Sequence, residues 1–189
     1  IQEADVAHDF GHLKRVLNMA LAISEAEQQG NRLVIIAASL LHDYIALPKN
    51  HPERHMASRM SAERAIPLLK NMNFPEELLP ETINAIEAHS YSANLKPTCI
   101  EACIVQDADR LDALGAIGIA RCFAVSGDIN RPIFNSEDPL ARNRKLEPSK
   151  WGVDYFLNNL VSLPSTMNTD TAKNIGHERV KYLTNFLKR

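Results

Sequence analysis

The spacing of apolar residues predicts helices along most of the chain. Over residues 5–29 apolar side chains recur at intervals of three and four, the spacing of an amphipathic helix, until "QQGN" ends the pattern. A second helix, predicted over residues 32–44, is apolar on almost every side. A helix of that kind belongs at the centre of a core.

Further helices follow with shorter connections. "ERHMASRMSAERAIPLLKNMN" is helical by pattern, although Pro67 is expected to kink or divide it. "PEEL" and "PETINAIEAHS" each begin with Pro and carry acids in the first turn, as helix starts do. "TCIEACIVQDADRLDALG" has an apolar stripe, and the small residues of "AIGIARCFAVSG" permit close helix packing.

The last third of the chain begins with an irregular segment. Residues 127–150 carry three Pro, many charges and no period, which predicts a long surface loop that is a candidate lid or substrate flank. The C-terminal helices are predicted over residues 151–161 and, after a cap at Thr169, 170–188. The second has one face formed by Ala172, Ile175, Arg179, Leu183 and Phe186.

The sequence has no convincing strand pattern and no repeat, so the predicted class is all-α. Its 189 residues are enough for one well-filled core, and a single domain over residues 1–189 is the expected organisation.

Composition and charge argue against nucleic-acid binding and membrane association. Lys plus Arg number 21 against 23 Asp plus Glu, so no basic face is available for a nucleic acid. Three cysteines without a CxxC pair favour a reducing, cytoplasmic environment. Neither a long apolar run nor a signal-peptide pattern occurs, so no membrane association is predicted.

Two adjacent polar residues end the most apolar helix. Burying the Asp43 carboxylate beside His42 costs several kcal/mol without a partner. A metal ion would be an economical partner, because neighbouring helical residues point about 100° apart and can flank one ion. The alternative from the residues alone is a capped helix end with a hydrogen-bonded histidine.

Other polar residues fall on apolar helices. "AHDFGHLKRV" puts His8, His12 and Arg15 on one helical stripe. "VQDADRLDALGA" brings three carboxylates together, which would repel unless some are exposed or held by a cation. For Asp107 and Asp112 a solvated face or an ion pair with Arg110 is the alternative explanation. Asp109 is the hardest of the three to explain in that way.

His12, then His42 and Asp43, then Asp109 resembles the H…HD…D pattern of the HD-domain superfamily of metal-dependent phosphohydrolases. "HDFGHLKRV", "LLHDYIA", "AIEAHSYS" and "VQDADRLDALGAIGIAR" resemble a branch of small bacterial HD hydrolases, as does "MNTDTAKNIGHERVKYLTNFL" at the C-terminus. The resemblance covers nearly the whole chain and implies a single-domain, HD-type helical bundle.

The resemblance also implies roles for individual residues. His12, His42, Asp43 and Asp109 would bind one divalent ion, which Mn, Fe, Co, Ni, Zn or Mg could supply. From the chemistry of phosphate hydrolysis, His89 could donate a proton to the leaving oxygen and Asp107 could orient the attacking water. The alternative for each is a hydrogen bond that supports a metal ligand. Candidate substrate-binding residues are Arg15, His8 and Arg110, with Lys49, Arg54, Arg59 and Arg121 as further cations near a phosphate. For the cations other than Arg15, a solvated or ion-paired side chain is the alternative. Some HD enzymes bind two ions through further histidines, but the spacing of His55 and His89 does not match theirs, so one ion is predicted.

Two departures from the family limit the choice of substrate. The turn after His42 and Asp43 lacks the Gly-Lys of the cyclic-dinucleotide phosphodiesterases, which argues against that substrate. Asp154 stands where the nearest branch would have His. The predicted activity is hydrolysis of a nucleotide or related small phosphate ester by an ion-activated water. The alternatives are an HD-type di-iron oxygenase and a non-catalytic nucleotide-binding helical domain, and a homodimer is left open.

Overall fold

The structure, a computed structural model, describes residues 9–47, 51–90 and 93–188. Within these residues it has eight α-helices and no strand, which confirms the all-α class. In chain order the α-helices are α1 (Phe10–Glu27), α2 (Arg32–Leu41), α3 (Ala57–Asn71), α4 (Leu79–Ala88), α5 (Ile100–Asp112), α6 (Gly115–Asp128), α7 (Gly152–Tyr155) and α8 (Asp170–Leu187). Short 3-10 helices cover Arg54–Met56, Glu76–Leu78 and Leu163–Thr166, and a π-helical turn covers Phe156–Leu160.

Side-chain caps determine where the first two helices begin. Asp9 accepts the backbone N–H of His12 at 2.8 Å, and Asn31 accepts that of Leu33 at 2.9 Å. Each cap pairs an N–H group that has no partner inside its own helix. Helix α1 therefore begins at Phe10, five residues later than the apolar pattern predicted.

The described chain divides into two compact units, and the first comprises residues 9–109 and 168–171 with their gaps. In this unit α1 packs on α2, and α4 packs on both α2 and α3. Small side chains dominate the contact, so the helix axes can approach closely. The buried cluster consists of Ala37, Ala38, Ala62, Ala65, Leu69, Ala85, Ile86, Ala88, Ala102 and Val105.

The second unit comprises residues 110–167 and 172–188. At the start of α6 a Cβ on Gly118 would lie 2.2 Å from the carbonyl oxygen of Ala113, so only glycine allows this close approach. Gly115, the first residue of α6, has a φ of +70°, in the left-handed region that favours glycine. On α8 Ala172, Gly176 and Leu183 are buried, whereas Phe186 is 48% exposed. The buried face of this helix is therefore shorter than the apolar pattern predicts.

Several predicted boundaries change in detail. Helix α2 ends at Leu41 rather than residue 44, and His42 forms its C-cap. Pro67 lies inside α3 without dividing it. The predicted helix over residues 151–161 is α7 followed by the π-helical turn. None of the helices in the described residues combines the length and the hydropathy of a membrane-spanning segment.

The segment from residue 129 to 151 has no helix, as its composition predicted, but it is anchored by specific contacts. Asp154, fully buried, accepts hydrogen bonds from both terminal nitrogens of Arg144, at 2.5 and 2.8 Å, and from the backbone of Glu147. Arg131 donates to the Pro148 carbonyl at 3.0 Å and stacks on the ring of Tyr155. These contacts favour a fixed flank over a moving lid. Asp154, which stands where the resemblance predicts a His, is therefore the buried residue that anchors this segment.

Candidate metal centre

The end of α2 orients His42 towards a buried cluster of polar side chains. His42 is fully buried, and its Nδ1 lies 2.9 Å from the carbonyl oxygen of Ser39. A carbonyl oxygen can only accept, so Nδ1 carries the proton and Nε2 keeps its lone pair. This is the tautomer that a metal ligand requires.

Helices α1 and α5 bring two further side chains to the same point. His12, fully buried on α1, has its Nε2 at 3.3 Å from Nε2 of His42 and 3.6 Å from Oδ2 of Asp43. The Oδ1 of Asp109, on α5, lies 3.4 Å from the same atom of His12. Asp43 Oδ2 and His42 Nε2 are 3.5 Å apart. Residues 97 positions apart in sequence thus form one cluster through the packing of three helices.

The spacing of these atoms tests whether an ion fits among them. Two ligands at about 2.1 to 2.2 Å from one ion, at tetrahedral to octahedral angles, lie about 3.0 to 3.6 Å apart. The four measured separations, 3.3, 3.4, 3.5 and 3.6 Å, fall in this interval. The nitrogen and oxygen donors suit a divalent transition ion, so the residues present fit such a group.

His89 joins the cluster from the end of α4. Its Nε2 lies 3.4 Å from Oδ1 of Asp43, and its ring packs at 4.7 Å, centroid to centroid, on that of His42. Its Nδ1 lies 2.7 Å from the carbonyl oxygen of Ile86. Two overlapping groups could therefore hold an ion: His12, His42 and Asp109, and His42, Asp43 and His89.

The sequence contains a pattern that links His89 to His42, although the spacing of the histidines along the chain does not reveal it. "AASLLH" and "AIEAH" both end an apolar helix with a histidine at the C-cap, and in both cases Nδ1 meets the carbonyl three residues earlier. The sequence predicts His89 as a proton donor, and His55 is the other histidine that a second ion could use. His55 is exposed on a 3-10 helix.

Burial and the charges within the cluster together determine the protonation states of its side chains. Burial lowers the pKa of His42 from 6.5 to about 4, outweighing its attraction to Asp43 and Asp109. Burial alone would raise the pKa of either carboxyl group. Attraction to His42 instead holds the pKa of Asp43 well below its usual range, and the hydrogen bond to His12 does so for Asp109. For His89, burial would lower the pKa, but the Asp43 carboxylate outweighs it and raises it.

Asp107 is fully buried, so a solvated face does not explain it. Its Oδ2 accepts the backbone N–H and the hydroxyl of Thr169, both at 2.8 Å, and its Oδ1 accepts the side-chain amide of Asn168 at 2.9 Å. The carboxylate therefore holds the residues that precede α8. Asp112, the third carboxylate of the motif, is also buried and pairs with Arg121 at 2.7 Å.

The predicted substrate-binding residues have different surroundings. Arg15 folds back over the first turn of α1, where its Nη1 would be 3.3 Å from a Cβ added at Gly11. Arg110 donates to the carbonyl of Thr166 at 2.6 Å. His8 and Lys49 lie outside the described residues. Of the remaining candidates, Arg54 donates to the carbonyl of Leu47, Arg59 pairs with Glu63, and Arg121 pairs with Asp112.

A helical fold that brings the H…HD…D residues to one point is the arrangement expected of an HD domain, and comparison with known families gives the same assignment. The model of the HD domain family matches residues 9–114, more than half of the chain and all five clustered residues. The chain belongs to the HD domain family.

Individual relatives extend the similarity beyond that domain. YpgQ of Bacillus subtilis (strain 168) is 30% identical over 188 residues, which covers 96% of this chain and 82% of YpgQ. An HD-superfamily hydrolase from Bacillus thuringiensis has a crystal structure with a TM-score of 0.72 and 32% identity, covering 96% of this chain and 83% of that one. A crystal structure of YpgQ in complex with ADP has a TM-score of 0.71 and 27% identity, covering 96% and 87%.

Proposed function

We propose that this chain is a metal-dependent phosphohydrolase that uses water to cleave a nucleotide or a related small phosphate ester. The observation that carries the proposal is the convergence of His12, His42, Asp43 and Asp109 in the first unit, with ligand atoms 3.3 to 3.6 Å apart. The two histidines are fully buried and the two carboxylates are partly exposed. Two carboxylates this close to each other and to two fully buried imidazoles are stabilised by a shared cation.

The donor set determines the charge of the proposed centre. Two neutral imidazoles and two carboxylates supply a net charge of −2, which balances a divalent ion, so the attraction of the centre for a phosphate would come from direct bonding of its oxygen at an open position of the ion. A bound ion of this kind polarises a phosphoryl oxygen and lowers the pKa of its water towards neutrality. The protein's own contribution is to fix the histidine tautomers through the carbonyls of Ser39 and Ile86.

The choice of a small nucleotide rests on charge and on a relative. The chain has a net charge of −2 and little to attract a nucleic acid. YpgQ, which is 30% identical to this chain, has been crystallised with ADP. Arg15, one turn after His12 on α1, carries the guanidinium that we assign to the substrate phosphate.

His89 has two roles compatible with its position. As a proton donor it would protonate the leaving oxygen from Nε2, which lies 3.4 Å from Asp43 Oδ1. As a ligand it would use the same atom, without its proton. This second role favours an alternative function, an HD-type di-iron oxygenase, because the two oxygens of Asp43 face different histidines, His12 and His89.

A substrate and metal panel tests the proposal. Purified protein is stripped with EDTA, reloaded with Mn, Co, Ni, Fe, Zn or Mg, and supplied with nucleoside mono-, di- and triphosphates while phosphate and pyrophosphate are read separately. We expect turnover with at least one ion, loss of at least about a hundredfold in kcat for His42→Ala, and wild-type turnover for His177→Ala, which removes an exposed histidine.

Protein that retains its ion but releases neither product would contradict the phosphohydrolase proposal. Two irons per chain together with oxygen consumption would select the oxygenase instead.

A further inference from the structure

A buried amide links the helix that carries Asp109 to the end of the helix that precedes His89. Gln106 lies one turn before Asp109 on α5, and residues three apart share a helix face. Its side chain is 2% exposed, and its Nε2 donates to the carbonyl oxygen of Ala88 at 2.6 Å. Ala88 is the last residue of α4, where carbonyls have no partner within the helix. Gln106 thus holds the backbone next to His89 from the helix of Asp109.

The orientation of this amide is determined by a chain of hydrogen bonds with a defined polarity. Asn168 Nδ2 donates to Gln106 Oε1 and to Asp107 Oδ1, each at 2.9 Å. A carboxylate without a proton can only accept, so Asn168 must present its nitrogen to Asp107. Gln106 must then present its oxygen to Asn168 and its nitrogen to Ala88.

The chain is anchored at its acceptor end. Asp107 also accepts the backbone N–H groups of Asn168 and Thr169, at 2.9 and 2.8 Å, and the Thr169 hydroxyl at 2.8 Å. Asn168 is therefore held through its backbone as well as its side chain, although the residue is exposed to solvent. Buried polar networks with every member paired specify one arrangement of the elements that they join.

We propose that Gln106 is a positioning residue of the metal centre: it holds His89 against Asp43, while Asn168 and Asp107 orient its amide. The expected effect of Gln106 on kcat rests on the proposed function, whereas its expected effect on the position of the His89 ring does not. His89 offers a direct probe of its own geometry, since its Nδ1 proton is donated to the carbonyl of Ile86 over 2.7 Å.

The main test is Gln106→Met, which keeps side-chain length and burial but removes both the donor and the acceptor. We expect kcat to fall at least about tenfold while KM stays within about threefold, as for a misplaced catalytic group. In proton NMR the downfield Hδ1 signal of His89, assigned by its absence from His89→Ala, should shift or broaden.

Thr82→Val is the matched control. Thr82 is fully buried on α4 and also bonds a backbone carbonyl, that of Leu78 at 2.8 Å, but this carbonyl is at the opposite end of the helix from His89. The control should lower thermal stability and leave kcat and the His89 signal unchanged. Equal effects in both variants would overturn the proposal, because general loss of a buried hydrogen bond would then explain them.

Asn168→Ala decides the question if Gln106→Met fails to fold. It removes only the amide that orients Gln106, at an exposed position, and keeps the backbone bonds to Asp107. We expect a shifted His89 signal and a smaller loss of kcat, and an unchanged signal would overturn the proposal. If the wild type hydrolyses nothing yet Gln106→Met or Asn168→Ala shifts the signal, positioning stands and the proposed function fails.

Discussion

The chemistry of the cluster depends on which ring nitrogen of each histidine carries the proton. For His42 and His89 the answer comes from backbone carbonyls one turn earlier in the chain, those of Ser39 and Ile86. Each imidazole is held by its own helix, so the direction of Nε2 is fixed before any ligand arrives. A centre built in this way needs little reorganisation to bind an ion.

The low pKa of His42 predicts that the metal-stripped protein loses stability on acidification. Because the pKa is about 4 in the folded chain and 6.5 in the unfolded chain, the unfolded state binds more protons between these values. The contribution is present above pH 6.5 and is lost as pH falls to about 4, amounting to about 3 kcal/mol. Urea unfolding in EDTA between pH 7 and 4 measures it.

The raised pKa of His89 acts in the opposite direction and above this window. Its contribution is complete below pH 6.5 and is lost only as pH rises through the raised value, so it does not offset the acid loss. A His42→Gln variant should show a flatter pH dependence. If its stability fell as steeply as that of the wild type, another group would be responsible.

Two aspartates separated by one residue should respond differently to the same substitution. Asp109→Asn removes a proposed ligand charge and should weaken Mn binding at least about tenfold, with little loss of stability. Asp107→Asn disturbs the hydrogen bonds to Asn168 and Thr169 and should cost about 1 to 3 kcal/mol of stability. Calorimetric titration and urea unfolding of both variants separate the two effects, and the reverse result would reassign the fourth ligand.

At the scale of elements, the segment before α7 depends on an ion pair with one fully buried partner. Arg144→Met would leave the Asp154 carboxylate buried with only the backbone N–H of Glu147 among its described donors. We expect its urea midpoint to fall at least about twice as far as that of Lys181→Met, which removes an exposed pair with Glu178.

The double variant Arg144→Met with Asp154→Leu provides the second half of this test. It removes both charges, so the unpaired buried carboxylate disappears, and much of the lost stability should return. A double variant less stable than Arg144→Met would show that Asp154 supports the segment without its partner.

For the whole molecule, metal binding should appear as resistance to unfolding. An ion that binds only the folded chain adds about 2.7 kcal/mol at a hundred times its dissociation constant. Mn should therefore raise the urea midpoint reversibly, and EDTA should restore it. His12→Ala, compared with and without Mn, should lose most of this increment, whereas an undiminished increment would indicate that the ion binds elsewhere.

Much of the architecture could be predicted because its causes are local. Apolar periodicity, helix caps and the irregular composition of residues 127–150 act over a few neighbours, so the all-α class and most helices followed from them. The predictions were least accurate at helix boundaries. Helix α1, for example, begins after its cap at Asp9 and not where the apolar pattern begins. The exposure of Phe186 was also missed, since periodicity identifies a face but not the depth to which it is covered.

The sequence by itself identified candidates for ion binding, because carboxylates and imidazoles on apolar helices carry an energetic cost that local structure does not offset. The resemblance to the HD-domain pattern then selected four of these candidates. Only the tertiary structure decided that His89 joins His42 and Asp43, and that Asp107 holds Asn168 and Thr169. Both facts depend on contacts between residues 46 to 62 positions apart. Such contacts are created by helix packing, and the order of residues along one helix does not specify them.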